Sequence, residues 1–338
     1  MTLSPRTRTR HSHAPPRSKH RVAPASAERC ELEADVLAGL WAPEPALPPR
    51  WFYDEEGSRL FEEITALEEY YPTRREREIL SRRADEIADL GASVLVELGA
   101  GSSAKTRLLL TAFAQRGGPL HYLPIDICAQ MLHRCAGELR RDYPGVRVEP
   151  VVANFHDELG PLPGGPGQRL ALFLGGTIGN FEEEERAGFL CRVGRALAPG
   201  DHFVLGLDLV KDESRLVAAY DDAAGVTAAF NRNLIHRIRT VLGATGLVPE
   251  DFAHVARWDP AQSRIEMRLK AQRPVTAYFP TLGRTWHLPE GGELRTEVCR
   301  KFHREEVGEF LGEAGLGLVT VWTDDAGDYA LALAQRHA

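Results

Sequence analysis

The sequence predicts an α/β chain, in which a doubly wound, mainly parallel sheet carries a second, smaller α+β lobe. Three observations lead there. Runs typical of strands buried on both faces, such as Val94 to Leu98 (VLVEL) and Leu170 to Leu174 (LALFL), alternate with segments of helical periodicity. The first run empties into Gly99, Ala100 and Gly101 and then a helix-like stretch from Thr106 to Phe113, giving strand, tight turn and helix. From about residue 216 the pattern changes to a long helical stretch and then to alternating, antiparallel-looking strands, which do not belong in a parallel sheet.

Composition narrows the class. A chain of 338 residues has ample length for a buried core, and 26% charged with 43% hydrophobic residues is ordinary for a globular protein. The formal net charge of −7 argues against nucleic acid or an anionic membrane as a partner. No apolar run approaches the ~20 residues of a membrane span. Five scattered cysteines without CxxC spacing predict neither a disulfide framework nor a zinc site, and no other metal site is expected. A cytoplasmic location and a monomeric state are the expectation.

Residues 1–29 are rich in arginine and proline and read as a disordered basic tail; the prolines argue against an amphipathic transit peptide. Leu32, Val36, Leu37 and Leu40 then suggest one helical face, as do Leu60, Phe61, Ile64 and Leu67. Pro72 should break the chain between two helices, leaving Tyr70 and Tyr71 at a bend. The charges from Arg74 to Arg83 read as the solvated face of a helix leading into the first strand.

The second strand, Leu120 to Ile127, ends near Asp126, 25 residues after Gly101. An acid there can accept hydrogen bonds from two ribose hydroxyls, or simply cap the next helix. Val146 to Phe155 offers a third strand whose end, Asn154 and Phe155, could bond and cover an adenine. The fourth strand runs into Gly175, Gly176, Thr177, Ile178, Gly179 and Asn180, a second ligand-binding position at a strand's carboxyl end. Phe203 to Val210 is the fifth strand. Leu216 to Leu242 reads as one mainly helical stretch, Ala253 to Leu269 and Leu294 to Cys299 as alternating strands, and Val275 to Tyr278 with Trp286 to Leu288 as a pair. Phe302 to Ala314 should be a helix, and Leu316 to Thr323 with Tyr329 to Ala334 a terminal hairpin. The glycine turn alone fits NAD(P) and S-adenosylmethionine equally well.

In matching order from residue 51 to 302, the segments YYPTRRE, VELGAGSSAKTRLLL, PIDIC, FLGGTIGNF, LVKDESRLVAAYDDAAGVTAAFNRN, IEMRL and TEVCRKF resemble the histidine Nα-methyltransferases of ergothioneine biosynthesis. The resemblance implies a Rossmann-like methyltransferase that uses S-adenosyl-L-methionine to convert L-histidine to hercynine by trimethylation. It implies a substrate-binding lobe from residues 30–74 and 212–300, and a cofactor domain from 75–211 and 301–338. Cofactor contacts carry over to Gly99, Gly101, Lys105, Asp126, Asn154 and Phe155; the family usually has Asp where this chain has Asn154, and an amide can still bond an adenine. Catalytic positions carry over to Tyr53, Tyr70, Asn180 and Tyr220, and substrate contacts to Tyr70, Gly175, Asn180, Tyr220, Met267, Glu297 and Cys299.

In this assignment Asn180 and Tyr220 hold the substrate carboxylate, Glu297 accepts the imidazole N–H, and Met267 packs softly beside it. Cys299 replaces a family serine, and its weaker hydrogen bond costs ~0.5–1.5 kcal/mol, which tunes affinity without abolishing it. The implied chemistry is in-line attack of a neutral amine on the sulfonium methyl, with no obvious general base. A different aromatic amino acid is the alternative acceptor. A non-catalytic sensor of S-adenosylmethionine or of an amino acid is the alternative from another class.

Overall fold

The computed structural model describes residues 25–154, 162 and 167–337, so the expectation for Phe155 and most of that for the basic tail lie outside the described residues. The chain opens with α1 (Ala25–Gly39), a 3-10 turn (Pro49–Phe52), α2 (Glu55–Ala66) and α3 (Tyr71–Ala88). Order therefore begins before residue 30, and the boundary expected at residue 74 falls inside α3. Leu32 and Val36 of α1 and Leu40 just after it are buried at a spacing of four, whereas Leu37 projects to solvent at 43% exposure. Pro72 sits in the first turn of α3, where its missing N–H has no helical partner to lose.

The sheet then unwinds in order: β1 (Val94–Leu98), α4 (Thr106–Arg116), β2 (Leu120–Asp126), α5 (Ala129–Asp142), β3 (Val146–Val148), β4 (Val151–Val152), β5 (Arg169–Phe173), α6 (Glu183–Ala196) and β6 (His202–Asp208). The third expected strand is thus split at Glu149 and Pro150, since proline cannot donate to a ladder. After a long insertion, α9 (Val307–Glu313), β12 (Leu316–Thr323) and β13 (Tyr329–Arg336) return to the sheet.

The spatial order is β12-β13-β6-β5-β1-β2-β3, with β4 also on β2. Strands β1, β2, β3, β5 and β6 are parallel, and β13 runs antiparallel to both β6 and β12. From β1 the chain winds out to β3 and then crosses back to β5 on the other side of β1. Ligands of open α/β sheets bind at such a switch point, and the carboxyl ends here carry Gly99, Asp126, Gly175 and Asp208.

The insertion comprises α7 (Glu213–Ala218), α8 (Val226–Leu242), β7 (Phe252–Asp259), β8 (Arg264–Ala271), β9 (Val275–Phe279), β10 (Arg284–Leu288) and β11 (Glu293–Arg300). The single helix expected over 216–242 is two. Asp222 accepts from the N–H groups of Val226 and Thr227, capping α8 behind Gly225 at φ 74, so Tyr220 lies in the loop between the helices. The strand expected over 253–269 is a hairpin, turned where the amides of Ala261 and Gln262 bond Asp259 and Ser263 adopts φ 49. One apolar core joins Leu32, Val36, Trp51, Phe52 and Ile64 of the N-terminal segment to Phe230, Leu234, Ile265, Leu269 and Phe279 of the insertion.

Two buried acids tie the helices to the sheet. Glu97 of β1 accepts from Thr106 Oγ1 at 2.6 Å and from the Tyr122 hydroxyl, which anchors the start of α4. Burial pushes its carboxyl up to about 7 despite those bonds. Glu76 of α3 accepts from the Gly175 amide at 2.7 Å and the Tyr329 hydroxyl at 2.9 Å, and pairs with Lys105. Room for it comes from Gly206, where a Cβ would lie 2.2 Å from Glu76 Oε1 and 2.7 Å from the Tyr329 oxygen. Gly206→Ala is expected to lose about 2 kcal/mol of stability through this overpacking. A wild-type urea midpoint would show that Glu76 can give way.

Candidate active site

The glycine turn after β1 is shaped by backbone conformation. Gly99 and Gly101 adopt φ 70 and 50, in the left-handed region that favours glycine. A Cβ on Gly101 would meet nothing within 4 Å, so the turn faces open space. Beside it, Asp126 accepts from the Gly101 amide at 2.8 Å with one oxygen and from the Cys128 amide at 2.9 Å with the other. Burial raises this carboxyl, and the amides pull it back. Each oxygen keeps a further lone pair, which suits a ligand presenting two neighbouring hydroxyls. An open glycine turn beside a fixed carboxylate fits the ribose of a nucleoside cofactor.

Lys105 reaches the same region, with its ammonium ion-paired to Glu76 and two N–H donors to spare. Asn154 follows β4, whose Val152 pairs with Asp126, so it too lies at the carboxyl edge.

A cavity adjoining this edge gathers residues far apart in sequence: Tyr53, Tyr70, Gly175, Asn180, Tyr220, Glu297 and Cys299 all line it. Strand periodicity explains the last two, because positions 297 and 299 of β11 share one face. Tyr53 ends the 3-10 turn before α2, Tyr70 precedes α3, and Asn180 ends a 3-10 turn (Thr177–Asn180) after β5. The rings of Tyr70 and Tyr220 meet edge to face at 6.2 Å, and Phe61 bridges Tyr53 and Tyr70. Met267 does not join them. It pairs with Glu297 across β8 and β11 on the same face of the sheet, and its side chain is buried in the core that also holds Tyr70, Tyr220 and Cys299.

The cavity also contains Gly176 and Thr177, from the run after β5 already read as a ligand-binding position, and Phe61, Pro72 and Asp208, which sequence reasoning did not place in a site. Asp208 carried a usable signal, an acid at a strand's carboxyl end, as Asp126 does. Phe61 and Pro72 carried none, because their places in the cavity arise from the packing of α2 and α3.

Electrostatically the cavity is lined by neutral donors together with Asp208 and Glu297, and buried lysines lie behind it. Lys301 is fully buried and uses its three donors on Asp208 Oδ2 at 2.7 Å, the Tyr220 hydroxyl at 2.8 Å and Cys299 Sγ at 3.1 Å. The Tyr220 hydroxyl in turn donates to Cys299 Sγ at 2.9 Å. Asp208 also accepts from Tyr71 at 3.0 Å and from Lys211 at 2.5 Å. Burial alone would raise the Asp208 carboxyl, but the two lysines hold it below the usual carboxylate range.

Burial pushes Glu297 up to about 7, against the attraction of Lys301 and a hydrogen bond from the Asn180 side chain. Burial also raises the phenols of Tyr53, Tyr70 and Tyr220 and the thiol of Cys299, so all four stay protonated near neutral pH. The arrangement offers neutral donors, one carboxyl that titrates near neutrality, and an aromatic wall. With the glycine turn at its edge, it suits group transfer from a nucleoside cofactor to a small polar acceptor.

Comparison with known proteins identifies the chemistry. The family described as histidine-specific, SAM-dependent methyltransferases matches residues 32–336. Histidine N-alpha-methyltransferases of Mycobacterium tuberculosis and Mycolicibacterium smegmatis are each 46% identical over 90% of this chain and 95% of theirs. Among solved structures, an S-adenosylmethionine-dependent methyltransferase from Clostridium acetobutylicum has a TM-score of 0.47 at 9% identity, covering 83% of this chain and 99% of that one. The match over nearly the whole chain excludes the nicotinamide alternative left open by the glycine turn: the chain is an S-adenosylmethionine-dependent N-methyltransferase and belongs to the histidine-specific methyltransferase family.

Proposed function

We propose that the enzyme methylates the α-amine of L-histidine three times, giving hercynine for ergothioneine biosynthesis. The observation that carries this reading is the sharing of one cavity by Asn180 and Tyr220 with Glu297 and Cys299. The first pair suits an amino acid's carboxylate, and the second suits the two nitrogens of an imidazole. S-adenosylmethionine supplies an electrophilic sulfonium methyl.

The protein's share is alignment and exclusion of water. Asn180 and Tyr220 hold the acceptor carboxylate with neutral donors, and Glu297 accepts the ring N–H. Cys299 Sγ accepts from Lys301, and its S–H donates to the second ring nitrogen once the Tyr220 hydroxyl turns its proton from Cys299 to the acceptor carboxylate. Tyr53 and Tyr70 flank the amine as protonated phenols and do not act as bases near neutral pH. Asp208 is committed to its lysines, so the amine proton leaves to water, and kcat/KM rises toward alkaline pH.

Purified enzyme with histidine and S-adenosylmethionine should yield mono-, di- and trimethyl products by mass spectrometry. Methylation of another amino acid in place of histidine would overturn the acceptor and keep the reaction. Asp126→Ala should weaken S-adenosylhomocysteine binding by about 10- to 100-fold, as expected for loss of charge-assisted bonds. Unchanged affinity by calorimetry would remove Asp126 from the cofactor site.

A further inference from the structure

Behind the cavity runs a chain of buried polar groups whose hydrogen atoms can be placed by elimination. The Arg268 carbonyl can only accept, so the Asn231 atom facing it is the amide nitrogen, and Asn231 Oδ1 faces the hydroxyl of Thr296, next to Glu297 in β11, at 2.7 Å; that hydroxyl also reaches the Met267 carbonyl at 3.1 Å. That fixes the Asn231 amide, whose two N–H donors go to the Arg268 carbonyl at 3.1 Å and to His254 Nδ1 at 2.8 Å. His254 Nδ1 is therefore the acceptor nitrogen and Nε2 carries the proton. Nε2 donates to the backbone carbonyl of Tyr220 at 2.7 Å. Asn231 is fully buried, with both amide donors and its oxygen bonded. Burial lowers the His254 pKa, consistent with this neutral tautomer.

We propose that Thr296, Asn231 and His254 form a positioning relay that holds the Tyr220 loop in register with Glu297. This rests on the reading that Tyr220 and Glu297 grip opposite ends of the acceptor. The loop needs such support, since Tyr220 lies between two helices and its hydroxyl is held only from the far side by Lys301 and Cys299. Asn231, on α8, joins β11 to β7, so the two ends of the acceptor site are set by one rigid frame. His254 touches no acceptor atom in this scheme and acts through Tyr220.

The test is steady-state kinetics of His254→Ala, His254→Gln, Thr296→Val and Tyr220→Phe, with S-adenosylhomocysteine calorimetry on each. Loss of the bond in His254→Ala should raise KM for histidine about tenfold, with kcat changed less and the calorimetric affinity unaltered. Glutamine can donate to the same carbonyl and should restore KM to within about twofold. Thr296→Val keeps side-chain shape, removes the first link together with the bond to the Met267 carbonyl, and should raise KM about threefold. Combining His254→Ala with Tyr220→Phe should add little to the Tyr220 variant alone.

Fully additive effects, or wild-type KM in Thr296→Val and His254→Ala with intact S-adenosylhomocysteine binding, would overturn the relay. A Tyr220→Phe enzyme with wild-type KM would instead overturn the placement of Tyr220 on the acceptor, whatever the His254 variants show.

Discussion

Glu297→Ala is expected to lower kcat/KM for histidine by about 100-fold, the upper range for losing a hydrogen bond to a charged group. An acceptor without a ring N–H should lose far less, and S-adenosylhomocysteine should bind as in the wild type. The size follows from burial, which leaves no water to replace the carboxylate opposite the imidazole. Burial also sets the pH dependence. With the carboxyl raised to about 7, Glu297 is protonated below that pH and accepts the ring N–H only through a weaker, neutral hydrogen bond. KM for histidine should therefore fall as pH rises through 7, and Glu297→Gln should lack this step. Equal losses for both classes of acceptor would remove Glu297 from recognition, and an unchanged KM profile in Glu297→Gln would exclude its titration.

Lys301→Ala should be the most destabilising single change behind the site, by about 3 kcal/mol, because removing one partner strands a buried charge. Asp208 would keep Lys211 and Tyr71, which places the loss at the lower end of the range for broken buried pairs. The Tyr220 hydroxyl and Cys299 thiol would lose their common donor, so the acceptor KM should rise with the loss of stability. Chemical denaturation of Lys301→Ala, Asp208→Asn and the double variant tests this. The double variant should be less destabilised than the sum of the single losses. Full additivity would show that the Lys301–Asp208 pair contributes no coupling.

Much of the cofactor edge was legible in the sequence because its signals are local. The run VLVEL followed by Gly99 and Gly101 marks a strand ending in a left-handed turn, and Asp126 closes the next strand. The helix break at 219–225 was also written locally, in Asp222 and Gly225, but hydrophobic periodicity on both sides masked it. Glu97 and Glu76 were not legible. A glutamate in a buried strand or among helical charges looks like a solvated residue until its partners arrive from elsewhere in the chain.

The sequence alone determined the class of the enzyme: the parallel sheet, the glycine turn, and the family motifs that point to the methyl donor. Tertiary structure decided which residues act together. Glu297, Cys299, Tyr220 and Asn180 share a cavity because sheet pairing and the fold of the insertion bring distant segments together. It also decided ionisation. The raised Glu297, the depressed Asp208 and the fixed tautomer of His254 arise from burial and from partners that no local pattern specifies.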